Sequence, residues 1–161
     1  MNPNGQQFIS IMNSPLKSRL FMVTKLPAAY FSGVRVKSFD TEQAIVTVPY
    51  KWFSQNPFRS TYFACLSMAA EMSTGLLAML QVYQRTPLVS MLVVKVESTY
   101  HKKATGITAF TCTNGNDFKQ IVNDCLNDGE ARSFTAQSIG TNADQEIVAE
   151  FLITWSFKAK K

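Results

Sequence analysis

The chain has 161 residues, a hydrophobic fraction of 46% and a charged fraction of 17%, which excludes a disordered, highly charged tail protein and points to one compact domain. Seven Gly and six Pro exclude collagen-like or linker-dominated sequence. The net charge of +5 is uneven, with 11 basic against 4 acidic residues up to Lys103 and 5 against 7 beyond it. A basic first part could face nucleic acid, an anionic membrane or a phosphorylated small molecule, and charge alone does not choose among them.

Phe8, Met12, Leu16, Leu20 and Val23 recur at helical spacing. Pro15 interrupts the stripe, and Ser14-Pro15 reads as an N-cap and first helical residue. Pro27 closes the segment. Residues 1–28 are thus predicted as an extension of two short amphipathic helices, which either pads one edge of the core or covers a ligand entrance. From Ala29 the period becomes two. Val34 and Val36 alternate with Arg35 and Lys37, and Ala44, Val46 and Val48 with Ile45 and Thr47, which predicts a hairpin. Asn56-Pro57 marks a turn.

Ser60 to Gln84 is predicted as one long helix with no clean polar face, and such a helix is buried. Its apolar window, Thr61 to Tyr83, is long enough to span a bilayer. Glu71, Gln81 and several Ser and Thr within it favour a core helix over a membrane span. Strands follow at Leu88 to Tyr100 and Gly106 to Thr113, then a short helix with Phe118, Ile121, Val122, Cys125 and Leu126 on one face, ending near Gly129. A weaker strand at Ala131 to Ile139 and a final one, with Ile147, Ala149, Phe151, Ile153, Trp155 and Phe157 on one face, complete residues 29–161. Strands around one hydrophobic helix predict an α+β domain with an antiparallel sheet curled about that helix.

Glu71 is the only charge between Arg59 and Arg85. A buried carboxylate must be paired, hydrogen-bonded, protonated or set in a wet cavity. It is either a structural group or a general base or nucleophile facing a cleft, its pKa raised by desolvation. Cys65, Cys112 and Cys125 have no CxxC spacing, and Met1 to Gly5 opens no signal peptide, so a reducing, cytoplasmic setting is expected. One His and three scattered Cys show no metal-ligand spacing. His101 reads as a solvent-facing strand end. Neither a dinucleotide nor a phosphate loop is present, and Ser67, Ser73 and Thr74 have no His nearby in sequence to activate them.

The segment from Asn56 through Tyr62-Phe63-Ala64 to Glu71 resembles the active-site stretch of hotdog-fold acyl-CoA thioesterases. There a loop Asn or Gln precedes a His-Gly-Gly that opens the central helix, and an Asp or Glu follows the His by the nine residues that separate Tyr62 from Glu71 here. The sequence is most similar to the branch still labelled a domain of unknown function, in which a Tyr commonly takes the His position. Phe63 and Ala64 replace the glycines, yet each keeps a backbone N–H for an oxyanion.

The resemblance implies a hotdog domain at residues 29–161 and hydrolysis of an acyl-CoA or other acyl thioester without a cofactor or metal. Glu71 and Asn56 would be catalytic, and Tyr62, Phe63 and Ala64 would bind substrate. The site would lie at the interface of a homodimer, alone or within a dimer of dimers. A competing reading is a non-catalytic acyl-binding or structural hotdog protein. A nucleic-acid module has only the net charge in its favour, since no aromatic-plus-basic RNA signature accompanies it, and no nucleic-acid partner is expected.

Overall fold

The computed structural model describes residues 2–160; Met1 and Lys161 lie outside the described residues. The N-terminal region forms three helices where the sequence predicts two: α1 (Gly5–Asn13), α2 (Pro15–Lys25) and α3 (Pro27–Phe31). Pro15 and Pro27 each stand at the start of a helix, where the missing N–H removes no hydrogen bond. Pro27 therefore opens a helix as well as ending one, and the first strand begins later than the period change at Ala29 suggests. Ser14 occupies the N-cap position of α2 in extended conformation, but its side chain makes no capping bond.

The predicted stripe does not survive this break. Phe8 and Met12 are buried, whereas Leu16, Leu20 and Val23 are exposed and Ser18 and Met22 turn inward. A helical register does not carry through a proline break, so the second helix presents a different face.

The hairpin is present as β1 (Arg35–Phe39) and β2 (Ala44–Val48), with a bulge between Val36 and Ser38. Ala44, Val46 and Val48 are wholly buried, as their alternation requires. The long helix is α4 (Phe63–Val82), shorter at each end than its apolar run. At the start, Ser60 and Thr61 are held extended by bonds from Asn56 N to Ser60 O (2.9 Å) and from Thr61 N to Ala104 O (2.8 Å). At the end, Gln84 adopts the left-handed region at φ 46°.

The remaining elements are β3 (Val89–Tyr100), β4 (Thr108–Cys112), α5 (Gly115–Asp128), β5 (Arg132–Thr141) and β6 (Ile147–Ala159). All strand pairs are antiparallel, in the order β1-β2-β4-β5-β6-β3. Phe110, Ala136, Phe151, Ile153 and Phe157 share one core with Leu66, Ala70, Leu77 and Leu80 of α4. The sheet is thus wrapped around the helix, which is the hotdog architecture that the resemblance implies. α4 is long and apolar enough to cross a membrane, but most of its apolar window is buried inside the fold.

β3 is an edge strand of twelve residues, bulged at Val94, with Leu92 on one face and Val96 on the other, 65% and 50% exposed. A long apolar edge is a template for another strand.

One glycine fixes how α5 docks. A Cβ on Gly115 would fall on the Thr41 carbonyl oxygen and lie 2.6 Å from Glu42 Cα, while the Gly115 N–H donates to Glu42 O at 3.0 Å. Backbone cannot yield as a side chain would, so Gly115→Ala should destabilise the fold by about 1–3 kcal/mol. Gly106→Ala, where a Cβ meets nothing within 4 Å, should fall within about 0.5 kcal/mol of wild type. Urea unfolding of both variants checks the contrast.

Candidate active site

The head of α4 is built by the loop that precedes it. Asn56 Oδ1 accepts hydrogen bonds from Phe58 N (2.9 Å), Ser60 N (3.3 Å) and Ser60 Oγ (3.2 Å), which closes the loop into a tight knot around its own backbone. Arg59 takes the strained left-handed position of that knot at φ 57°. Tyr62 N then donates to Ser54 O at 2.7 Å, and Thr61 is tied to Ala104, so the helix start is fixed against the segment that follows β3.

Tyr62 is the N-cap of α4 and has no side-chain capping bond. Its carbonyl accepts Cys65 N at 2.9 Å and Leu66 N at 3.2 Å. The N–H groups of Phe63 and Ala64, the first two of the helix, have no intrahelical acceptor by geometry. An ordinary Ser or Asp cap would engage part of this turn. Here the positive end of a twenty-residue helix is left open to an external acceptor.

A cleft of about 620 Å³ lies against this helix head, lined by Asn56, Tyr62, Phe63, Leu66, His101 and Lys103, among others. Asn56, Tyr62 and Phe63 are thus brought together, as the spacing anticipates. Ala64 is half-buried and off the cleft wall, so it has only its backbone to offer. His101 is exposed at the end of β3, as the sequence suggests, with its Nε2 2.8 Å from Glu150 Oε2. Lys102 pairs with Glu146, while Lys103 Nζ donates weakly to Phe58 O at 3.4 Å.

Glu71 is not on this cleft. It sits about two turns further along α4 and lines two other cavities, of about 390 and 280 Å³, beneath the N-terminal helices. Burial pushes its carboxyl above the ordinary glutamate value of 4.5, and no hydrogen bond or ion pair among the described residues offsets that push. Thr74 Oγ1, one turn on, donates to the Glu71 backbone carbonyl at 2.9 Å and receives the indole N–H of Trp155 at 2.9 Å. Within one protomer the structure therefore separates Glu71 from Asn56, Tyr62 and Phe63.

The other nucleophile candidates are inert. Cys65, Cys112 and Cys125 are buried and free, and burial pushes the Cys112 thiol up to about 11. The Ser73 hydroxyl is locked to Ser138 Oγ at 2.7 Å. Among the described residues no three His, Cys, Asp or Glu side chains converge as a metal site.

Sequence reasoning missed Gly75 and Trp155, which stand beside Glu71, and the assignment of Lys25 and Phe21 to its cavities. A glycine in mid-helix was the one available signal.

The sequence matches the family described as a domain of unknown function (DUF4442) over residues 17–157. The chain belongs to that family. In fold it is similar to a protein of unknown function from Pseudomonas aeruginosa described as a probable thioesterase, at 16% identity and a TM-score of 0.78, covering 93% of this chain and 99% of that one. A second thioesterase of Pseudomonas aeruginosa, solved as a mutant, aligns at 12% identity and a TM-score of 0.69 over 92% and 96% of the two chains. A thioesterase from Haemophilus influenzae aligns at 10% identity and a TM-score of 0.64 over 87% and 88%. These likenesses establish the thioesterase-like hotdog fold of this DUF4442 chain. No curated protein matches the sequence.

The raised carboxyl of Glu71 makes a pH-dependent stability prediction. The folded state holds this proton more tightly than the unfolded chain, so its stability is greatest below the unfolded pKa near 4.5 and declines as pH rises through the higher folded pKa. Glu71→Gln removes that penalty. Because the group keeps some solvent contact, the gain at pH 8 should be held to about 1 kcal/mol, a Tm rise of about 2–4 °C, vanishing by about pH 4. Thermal melts of both proteins across that range measure it.

Proposed function

We propose that this DUF4442 protein hydrolyses an acyl thioester, an acyl-CoA in the first instance, at a site shared between two copies of the chain. The observation that carries the reading is Glu71: a carboxylate on the buried helix, raised in pKa by desolvation, with no partner, at the mouth of an apolar cavity. Such a group is poised for a proton or a carbonyl carbon, and isolated burial has no structural benefit to offer in its place.

The reading requires the two halves of the site to meet across a dimer. The free edge of β3 supports that assembly, since pairing two such strands about a two-fold axis would satisfy the unpaired backbone edge of a twelve-residue strand. In the composite site the substrate carbonyl oxygen accepts from the Phe63 and Ala64 N–H groups at the helix head. Glu71 of the partner subunit takes a proton from the attacking water, or attacks the carbonyl carbon itself to form an anhydride that water then opens, with the CoA thiolate leaving in either case. Asn56 spends its carbonyl on the loop knot, so its free amide NH₂ is the group available to orient the carbonyl or the water. Tyr62 and Phe63, both exposed at the cleft, wall the site. Lys103, on the same cleft, is placed to meet a phosphate of the nucleotide.

Glu71→Gln should lose about 10²–10⁴ of the turnover measured on acyl-CoAs while keeping its fold, the loss typical of removing general-base help. Wild-type turnover should rise with pH through the raised carboxyl pKa, because only the deprotonated form is a base. Unchanged turnover in the folded variant refutes the catalytic role. Absence of turnover in wild type across short, long and aromatic acyl-CoAs, together with tight binding of one of them, would establish a non-catalytic acyl-binding protein instead.

The assembly is tested separately. Sedimentation equilibrium at micromolar concentration should give a species of at least twice the 18.0 kDa chain mass. Val96→Asp, which places a charge on that edge strand, should shift it towards monomer and lower turnover in proportion. A wild-type monomer that turns over acyl-CoA would sink the shared-site reading.

A further inference from the structure

The Glu71 cavity is roofed by the N-terminal extension, and its shape is that of a channel. Its floor runs along α4 from Glu71 through Met72, Gly75 and Leu76 to Met79, about 12 Å of helix at about 1.5 Å rise per residue. Its roof is Phe21 and Lys25 of α2 with Phe8 of α1. Phe8 stacks on Tyr83 at 4.9 Å and is 1% exposed, so it closes the channel at the end remote from Glu71. α1 is firmly seated, with Asn2 donating to the Leu80 and Tyr83 carbonyls at 3.0 and 2.7 Å and Asn13 to Phe39 O at 2.6 Å.

The channel is polar at one end only. Glu71 and Lys25 are its charged lining groups, and both also line the smaller adjoining cavity. Everything beyond them is apolar and includes three methionines, Met72, Met79 and Met91, whose flexible side chains adapt to an irregular ligand. An apolar cavity with its charged groups at one end fits an amphipathic ligand whose reactive head stays beside Glu71.

Gly75 keeps that mouth open. Glycine is the poorest helix former after proline, and here it stands inside a twenty-residue helix. A Cβ at this position would lie 3.3 Å from Trp155 Cζ2 and 3.4 Å from Glu71 Oε1. Trp155 cannot withdraw, because it is buried and its indole N–H is held by Thr74 Oγ1. Local preference has been overridden to leave room at this one spot, which is the mark of a functional constraint.

Resting on the thioesterase reading, we infer that this channel takes the acyl group of the substrate, an unbranched aliphatic chain of roughly eight to ten carbons at about 1.25 Å of advance per C–C bond, with Gly75 setting the width of the entrance and Met79 with Phe8 setting the length. The N-terminal extension is then a wall of the substrate site rather than padding at the edge of the core.

Binding of the non-hydrolysable thioethers S-ethyl-, S-hexyl-, S-decyl-, S-hexadecyl- and S-benzyl-CoA to the full-length protein, by calorimetry, tests this apart from hydrolysis. Wild type should bind S-decyl-CoA at least tenfold more tightly than the ethyl, hexadecyl or benzyl compounds. Gly75→Ala, a change that helix propensity favours, should weaken S-decyl-CoA at least tenfold. Met79→Trp should move the optimum to S-hexyl-CoA. A flat chain-length profile in wild type, or a profile that neither variant alters, overturns the assignment even if acyl-CoA is hydrolysed. A decyl optimum that Gly75→Ala weakens and Met79→Trp shifts, in a protein without turnover, upholds the channel and sinks the hydrolase reading instead.

Discussion

The architecture answers to one requirement: α4 is apolar nearly all round, and past its head only a half-buried stripe through Ser67, Met68, Glu71, Gly75 and Met79 escapes the core. Its twenty residues make a rod of about 30 Å, far more apolar surface than another single helix could cover. Six antiparallel strands, curled, are what the chain supplies. The short strands β2 and β4 cover one part of the rod, while β1 extends the sheet against α1. The long strands β5 and β6, with α5 packed beside them, cover the rest. The N-terminal helices close the side that the sheet leaves open, which is why the cavities beneath them, rather than any deeper void, hold the one charge the rod carries.

That charge defines a trade-off between stability and chemistry. A carboxylate on a core helix lowers the stability of the fold at neutral pH, and no partner softens the loss at Glu71. Elsewhere several buried polar groups are satisfied, although Gln81 Oε1 and Arg132 Nε are buried without a partner among the described residues. Thr74 both donates to Glu71 O and accepts from Trp155, Ser73 meets Ser138, and Ser54 donates to Pro49 O at 2.6 Å. Glu71 stands apart as the carboxylate whose pKa burial raises, and carboxylates perturbed in this way concentrate at functional sites.

How far the sequence disclosed this depends on which physical signal each residue carried. The core strands were legible because Ala44, Val46 and Val48, and again Phe151, Ile153, Trp155 and Phe157, alternate strictly, and a strand has only two faces. The buried helix was legible from composition alone. Its ends were not, since Thr61 is pinned by a hydrogen bond to Ala104, far along the chain, that no local pattern encodes. The stripe through Leu16, Leu20 and Val23 misled because periodicity was extended across Pro15, where the helix axis turns. Asn56, Tyr62 and Phe63 were grouped correctly by spacing, as contiguous residues on one loop and helix start must be. The channel walls were not, because Phe8, Phe21, Met79 and Trp155 meet only in the folded chain, and Gly75 gains its meaning from Trp155, eighty residues away in sequence.

The two tryptophans divide in a way that makes the protein its own reporter. Trp52 stands 82% exposed on the short 3₁₀ turn of residues 52–54, whereas Trp155 is buried, fixed by Thr74 and set in the wall beside Glu71 and Gly75. A water-borne collisional quencher reaches the first ring and not the second. Under such a quencher the remaining indole emission comes from a single immobile fluorophore next to the unpaired carboxylate. Its wavelength and intensity then read the ionisation of Glu71 and the contents of the cavity directly, with no label attached and no residue changed.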